Sequence, residues 1–273
     1  MIRSYQDLFT AISTRGPVTM AVVNSRNPHI TDAIEYAESR GWIKAIRVYH
    51  DDPAVAAQRA VDHVKCGDAR LLMKGDIPSY VLLKAVLDKQ SGLRGSSRIS
   101  HVAVVESPKY PRLMLFTDGG VNVQINSDIL ESIIRNAVSL SCQLQNDHPH
   151  VAMLSLTEKE SNDSSEGEMI RAMKAIFLQD QHMLIEGPVS LDVALSRESA
   201  HAKNLDSKIS GNTDIFVGQN ITTINFIVKS LLLLGNAKGG GIVLGGKVPI
   251  VLLSRADSME TKVNSIALGV IVV

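Results

Sequence analysis

Residues 18–50 read VTMAVVNSRNPHITDAIEYAESRGWIKAIRVYH, and this stretch predicts the fold. It begins and ends with runs rich in β-branched residues, VTMAVVN and IKAIRVYH, which are typical of buried strands. Between them, PHITDAIEYAESRGW has the apolar spacing of an amphipathic helix. A strand, a helix and another strand in this order predict a parallel sheet covered by helices.

The same alternation continues along the chain. A helical segment DPAVAAQRAVDHVKCGDA, a strand RLLMKGD and a helix YVLLKAVLDKQSG follow the first unit. The runs ISHVAVVESP and PRLMLFTDGG are joined only by KYP, which leaves no room for a helix and predicts an antiparallel pair within a mixed sheet.

A second α/β series begins after the long helix SDILESIIRNAVSLSCQLQ and the polar loop NDHPH. We therefore predict an α/β protein with two α/β/α lobes. Residues 1–145 with about 254–273 form the first lobe, and residues 146–253 form the second. Ligands of such folds bind beyond the carboxyl ends of strands and between domains, so we expect the ligand in a cleft between the lobes.

Composition narrows the possible partners and location. The 273 residues include 28 basic and 28 acidic side chains, so no net charge favours nucleic acid or an anionic membrane. The longest apolar run, INFIVKSLLLLG, contains Lys229 and is shorter than the roughly 20 residues that span a bilayer. Cys66 and Cys142 lie far apart, which favours a reducing, cytoplasmic compartment. We expect neither nucleic-acid nor membrane partners.

Two motifs are rejected on their context. GIVLGGK, residues 241–247, fits the bare phosphate-loop pattern, but Val248 and Pro249 follow it and lead into another strand instead of a helix. His148 and His150 have no further ligand at metal-binding spacing, so we predict no metal site.

Arg255 stands at the carboxyl end of a predicted buried strand in KVPIVLLSRADSMETK. A planar guanidinium at that position suits a phosphate or carboxylate, and a salt bridge between the lobes is the alternative. Ser254 is either a hydrogen-bond donor or a turn residue. Asp257 and Glu260 have the spacing of a helix cap and its partner, so these carboxylates either end a helix or act chemically.

Four separated blocks resemble one family. They read LMKGDIPSYVLLKAVLDKQSGLR, SHVAVVESPKYPRLMLFTDGGVNV, EGPVSLDVALS and PIVLLSRADSMETKVNSIAL. In order and spacing they are similar to the phosphate acetyl/butyryltransferase family, and within it to the phosphate butyryltransferase branch. The resemblance extends over residues 18–268.

The resemblance implies an enzyme that moves an acyl group between coenzyme A and inorganic phosphate. It also implies two lobes of the isocitrate and isopropylmalate dehydrogenase type, a homodimer, and no cofactor, since coenzyme A is itself substrate or product. Phosphate must be held against a thioester carbonyl while negative charge develops on its oxygen, and positioned cations and hydroxyls meet that need.

Carried over by position, the resemblance assigns Arg255 and Ser254 to the phosphate and thioester site. Thr261 stands where acetyl-specific relatives have an aspartate, which leaves Asp257 or Glu260 as the base for the coenzyme A thiol. The remaining predicted phosphate or acyl-CoA contacts are Lys74, Gly75, Ser79, Lys84, Arg94 and Asn225.

The segment VGQNITTIN, residues 217–225, departs from the branch, which commonly reads VPDIEAGN there. This difference supports an alternative: a catalytically weak or inactive relative that binds coenzyme A or acyl phosphate as a sensing or partner-binding protein. An NAD-linked acid dehydrogenase of the same fold is disfavoured, because the matching blocks are those of the transferases.

Overall fold

The computed structural model describes residues 1–95, 97–160, 164–254 and 256–273. Arg255 therefore lies outside the described residues. The strands are β1 (Val18–Val23), β2 (Ile43–Val48), β3 (Leu71–Lys74), β4 (Ser100–Glu106), β5 (Met114–Thr117), β6 (His150–Leu154), β7 (Leu184–Val189), β8 (Ile215–Val217), β9 (Lys238–Leu244) and β10 (Ile250–Val251). The helices are α1 (Tyr5–Ile12), α2 (Pro28–Ser39), α3 (Pro53–Lys65), α4 (Ser79–Val86), α5 (Ser127–Gln143), α6 (Ser165–Ile176), α7 (Leu191–Leu195), α8 (Arg197–Ala202), α9 (Ile221–Leu233) and α10 (Met259–Val272).

The predicted βαβ start of the fold is confirmed. Strands β1 and β2 are parallel, with Val18 opposite Ile43. Helix α2 begins after Asn27, whose side chain accepts from the backbone N–H of His29, and proline occupies its first position. An asparagine cap followed by proline is a strong start signal, because both satisfy the constraints of the first helical turn.

The chain folds into two compact units. The terminal unit contains Ser4–Ile99 and Lys238–Val273. Its strand order is β2-β1-β3-β10-β9, in which β9 alone runs antiparallel to its neighbour. The carboxyl ends of β1, β2, β3 and β10 consequently meet at one edge of this sheet.

The central unit contains Met1–Arg3 and Ser100–Ala237, with strand order β4-β5-β8-β6-β7. The predicted antiparallel pairing of β4 with β5 is confirmed, and the other pairs are parallel. Its core includes Phe116 stacked on Phe216, with ring centroids 4.7 Å apart. A stacked aromatic pair of this kind stabilises the centre of the sheet.

These units differ from the predicted division at 145/146 and 253/254. Residues 100–145 lie in the central unit because β5 pairs with β8, with Leu115 opposite Ile215. Strands β9 and β10 lie in the terminal unit because β10 pairs with β3. The polar loop NDHPH therefore connects α5 to β6 within the central unit, although its composition is typical of a linker.

Two further details complete the fold. The segment predicted as one helix, SLDVALSRESAHAK, forms two short helices because Ser196 is extended, with φ −141° and ψ 125°. Within the described ranges, no helix combines the length and apolar character required to cross a membrane.

Candidate functional site

Lys74 ends β3 at the carboxyl edge of the terminal unit and is only 5% exposed. Its ammonium donates to the carbonyl oxygens of Gly75 at 3.4 Å and Ile77 at 3.3 Å. A buried cation needs such acceptors, because desolvation of an unpaired charge is costly. The predicted site residue Lys74 is therefore an interior charge of this edge.

Gly75 follows Lys74 where two backbones approach closely. A Cβ at this position would lie 2.0 Å from the carbonyl oxygen of Val23 and 2.6 Å from that of Asn24. Because the neighbours are main-chain atoms, no side-chain rotation can make room. Glycine is required here so that the end of β3 can pack against the end of β1.

Asp76 links the turns that follow β1 and β3. Its Oδ2 accepts from the backbone N–H groups of Arg26 at 2.8 Å and Asn27 at 2.6 Å. The same turn is held by Asn24, whose amide donates to the carbonyl of His50 at 2.9 Å. The carboxyl edge is thus a network of side chains bonded to main-chain groups.

Ser254 and Asp257 close the turn between β10 and α10. Asp257 Oδ2 accepts from the backbone N–H of Ser254 at 2.8 Å. Helix α10 is capped by Ser258, which accepts from the N–H of Thr261 at 3.1 Å. The cap interpretation of Asp257 with Glu260 is therefore wrong: the actual cap lies one residue later, and the Asp257 carboxylate faces back over the Ser254 turn.

Glu260 differs from Asp257 in its surroundings. Its side chain is 60% exposed and lies 3.7 Å from the ammonium of Lys238. A solvated ion pair of this kind contributes little to stability. Of the two candidate bases, Asp257 is the one built into the turn.

Lys262, in the first turns of α10, was not among the predicted residues. It is 1% exposed, and its ammonium donates to the carbonyl of Asp257. Burial lowers the pKa of this ammonium, while the carboxylates of Asp257 and Asp76 favour its charged form. The sequence did hold a signal, because Lys262 lies three residues after Met259 and four before Ile266, in phase with the apolar stripe of the helix.

Ser79, Lys84 and Arg94 are placed differently from one another. Ser79 is the half-buried first residue of α4. Lys84 is exposed in the last turn of that helix, about 7.5 Å further along its axis at 1.5 Å per residue. Arg94 is exposed, donates to the Leu87 carbonyl at 2.6 Å, and bridges to Gly246 before the amino end of β10. The carboxyl edge therefore gathers Lys74, Gly75, Ser79, Ser254 and Asp257, but neither Lys84 nor Arg94.

The carboxyl edge of the central unit is organised around Asp118, which is fully buried. Its carboxylate accepts from the backbone N–H groups of Gly120 at 2.9 Å, Val121 at 3.0 Å and Asn122 at 3.0 Å. The side-chain amide of Asn122 adds a bond of 2.6 Å. These donors satisfy the buried carboxylate and fix the loop after β5.

Asn225 and Gln219 contribute amides to the same unit. Asn225, on α9, donates to the carbonyl of Gly119 at 3.3 Å. Gln219 follows β8 in the VGQNITTIN turn, and both polar atoms of its amide are buried without a hydrogen-bond partner among the described residues. A buried amide without partners is unfavourable by about 1–3 kcal/mol. A polar ligand atom that forms a hydrogen bond with the Gln219 amide would remove this cost.

The two histidines of the NDHPH loop face main-chain oxygens. His148 Nδ1 lies 3.0 Å from the carbonyl of Gln181, and His150 Nδ1 lies 3.1 Å from that of Asn212. Across the portion of the chain that the structure describes, no three His, Cys, Asp or Glu side chains are grouped to hold a metal ion.

Comparison with known proteins identifies the family of this chain. Residues 21–270 match the family model described as "Phosphate acetyl/butaryl transferase". The chain belongs to this family. Over its whole length it is 32% identical to the phosphate butyryltransferase of Clostridium acetobutylicum, of which it covers 99%. The family resemblance of the sequence blocks is confirmed.

Solved structures agree with this family membership. The branched-chain phosphotransacylase of Enterococcus faecalis V583 superposes with a TM-score of 0.84 at 32% identity, covering 93% of this chain and 98% of that one. The 4-hydroxythreonine-4-phosphate dehydrogenase of Burkholderia phymatum, at 13% identity, gives a TM-score of 0.52 over 98% of this chain and 92% of its own. This transferase family member therefore has the α/β fold of the isocitrate dehydrogenase type, as expected.

Proposed function

We propose that this chain is a phosphate acyltransferase that moves a short acyl group between coenzyme A and inorganic phosphate. The observation that carries the proposal is the family match over residues 21–270, which includes the edge that holds Lys74, Ser254 and Asp257. In one direction the products are an acyl phosphate and free coenzyme A. Butyryl and acetyl transfer are the family's named reactions.

The reaction needs a held anion and a stabilised oxyanion. A phosphate oxygen attacks the thioester carbonyl carbon, a C–O bond forms, and the carbonyl oxygen becomes negative. The C–S bond then breaks, and the coenzyme A thiolate takes up a proton. Cations that are fixed before the reaction stabilise this developing charge most effectively.

In the proposed roles, Arg255 and Lys74 hold the phosphate and Ser254 donates to the developing oxyanion. Gly75 lets the strand end approach closely, and Ser79 adds a hydroxyl at the start of α4. Lys74 is a better source of charge at the phosphate than the exposed Lys84, because a buried ammonium acts in surroundings of lower dielectric.

Proton transfer at sulfur is assigned to Asp257 in preference to Glu260. Asp257 is half-buried in the turn beside Ser254, whereas Glu260 is paired with Lys238 in solvent. In the direction of thioester synthesis the same carboxylate removes the thiol proton.

The remaining predicted contacts are assigned to coenzyme A. Lys84 and Arg94 are exposed cations suited to its phosphate groups, and Asn225 offers an amide. Lys84 and Arg94 therefore bind the phosphate groups of coenzyme A, whereas Arg255 and Lys74 bind the phosphate that is transferred.

We also propose a cytoplasmic homodimer. Helix α9 exposes Phe226 by 66% and Leu233 by 80%, and Leu234 follows at 88%. An exposed apolar row of this kind favours contact with a second copy. Light scattering after gel filtration measures the mass, and a Phe226→Glu, Leu233→Glu variant should shift it to that of a monomer.

The test of the activity is release of free thiol from acetyl-, propionyl-, butyryl- and branched acyl-CoA, with and without inorganic phosphate. The release should depend on phosphate, and Arg255→Ala should lower kcat/KM by about 100-fold or more. Exposed Arg40→Ala is the matched control and should leave the rate unchanged. If the wild type binds coenzyme A in calorimetry but releases no thiol with any of these substrates, the proposal fails in favour of a binding protein.

A further inference from the structure

The ammonium of Lys262 occupies an unfavourable position. The residue is 1% exposed and is the fourth residue of α10, counted from Met259. Side chains of a helix lean toward its N-terminus, so this cation lies near the positive end of the helix dipole. Burial and the dipole both oppose a positive charge here.

The described protein groups supply fewer hydrogen-bond acceptors than this ammonium can use. It has three N–H bonds, and the carbonyl of Asp257 is its acceptor among the described residues. The nearby carboxylates are engaged elsewhere: Asp257 accepts from Ser254 N–H, and Asp76 accepts from the N–H groups of Arg26 and Asn27. Neither carboxylate forms an ion pair with Lys262 in the part of the chain that is described.

The position of the ammonium points to the ligand. Its acceptor, the Asp257 carbonyl, belongs to the turn that begins at Ser254, three residues after the end of β10. Ser254 is the proposed donor to the oxyanion, and in the sequence it directly precedes Arg255, a proposed phosphate-binding residue. A phosphate group offers several anionic oxygens, and these can accept from the N–H bonds that no described protein group accepts.

We infer that Lys262 binds an oxygen of the transferred phosphate, as a second buried cation in addition to Lys74. This inference rests on the proposed function and adds a residue that the predicted site did not contain. The shared chemistry is a phosphate oxygen, whose sources are inorganic phosphate, acyl phosphate and the phosphate groups of coenzyme A. The transferred phosphate is favoured because Lys262 contacts the Ser254–Asp257 turn.

The test compares Lys262→Met with Lys65→Met, an exposed helical lysine of the same unit. Methionine keeps the length of the side chain, favours helix and removes the charge. Inorganic phosphate and coenzyme A are titrated separately into each folded protein by calorimetry. Lys262→Met should weaken phosphate binding about tenfold to hundredfold, as expected for a lost hydrogen bond to a charged group. Lys65→Met should remain within about twofold of the wild type.

Stability separates ligand binding from a structural role. If the charge serves the ligand, Lys262→Met should melt at or above the wild-type temperature in phosphate-free buffer, because an unfavourable buried charge has been removed. Lys262→Arg should regain part of the phosphate affinity. In turnover assays the KM for phosphate should rise while the KM for acyl-CoA stays constant.

Several results would overturn the inference. These are unchanged phosphate affinity in Lys262→Met, a loss confined to coenzyme A, or a wild type that binds no phosphate. If Lys262→Met does not fold, Lys262→Gln is titrated in the same way, and an unchanged affinity in it also overturns the inference. Because the titrations use phosphate alone, they remain informative even if the wild type shows no acyl transfer.

Discussion

The carboxyl edges of the two units differ in the charge of their buried side chains. In the terminal unit the edge contains two buried ammonium groups, on Lys74 and Lys262, and their acceptors are main-chain carbonyls. In the central unit the edge contains amides and one buried carboxylate, Asp118, which is saturated with donors. The charged edge of the terminal unit suits an anion such as phosphate. The edge of the central unit is called the neutral edge because its carboxylate is already saturated with donors, and it suits an acyl group or an amide-containing arm.

The largest effect should come from packing at the charged edge. Gly75→Ala should reduce the free energy of unfolding by about 3 kcal/mol or more, because the new methyl group meets two main-chain oxygens that cannot rotate away. The counterpart at the neutral edge is Gly119→Ala, which should cost less, because its Cβ would lie 2.9 Å from a side-chain atom, Nδ1 of His101, and not from main-chain oxygens. Urea unfolding followed by circular dichroism measures both variants. Equal losses would mean that the two edges are equally adaptable.

A smaller effect of opposite sign is expected at the neutral edge. Gln219→Leu should raise the free energy of unfolding by about 1 kcal/mol, because a buried amide without protein partners is replaced by an apolar group of similar size. The same variant should raise the KM for acyl-CoA and leave the KM for phosphate unchanged. Exposed Gln124→Leu in the same unit is the control. A less stable Gln219→Leu protein would contradict the idea that this amide is kept for a ligand.

The smallest effect is a pair of opposite slopes at alkaline pH. Burial lowers the pKa of Lys262 in the folded protein below its usual value of about 10.4. Between the folded and unfolded pKa values the unfolded chain binds more protons than the folded protein, so the free energy of unfolding rises with pH there. In the central unit, burial raises the pKa of Tyr110 to about 12. The contribution of Tyr110 is therefore complete below pH of about 10 and is lost as the pH rises through about 12.

Two variants isolate these slopes. Free energies of unfolding measured from about pH 8 to 12 should show that Lys262→Met removes the rising contribution and that Tyr110→Phe removes the falling one. Wild-type values are subtracted at each pH so that other titrating groups cancel. If the free energies of unfolding of Lys262→Met and the wild type change with pH in the same way, the folded protein does not disfavour the charged form of this ammonium.

The fold was predictable where neighbouring segments specify one another. The β1-α2-β2 unit and the β4-β5 pair follow from local patterns, since strand runs and short connections leave few alternatives. The division into units was not, because it depends on pairings between distant segments, such as Leu115 with Ile215. Nothing in the polar loop NDHPH, residues 146–150, distinguishes a connection within one unit from a linker between two.

The site was predictable at strand ends and less so in the helix that follows. Lys74 and Gly75 lie at the carboxyl edge because they end and directly follow β3, and Ser254 comes three residues after β10, which is parallel to β3. The sequence did not predict that Lys262 is buried, because a lysine in a helix is usually solvated. Its spacing from Met259 and Ile266 indicates the buried face of the helix, but its charge predicts exposure. The cap was misplaced because Ser258 and Thr261 satisfy the same spacing one residue later than Asp257 and Glu260.

The terminal unit joins the two ends of the chain, and this affects the order of events during synthesis. The strands β1 to β3 leave the ribosome before the entire central unit, yet they need β9, β10 and α10 to complete their sheet and core. The central unit, apart from Met1–Arg3, is continuous and can become compact first. The edge that holds Lys74 stays incomplete until Ser254 and Lys262 have been translated, so the proposed phosphate site forms only after the whole central unit has been made.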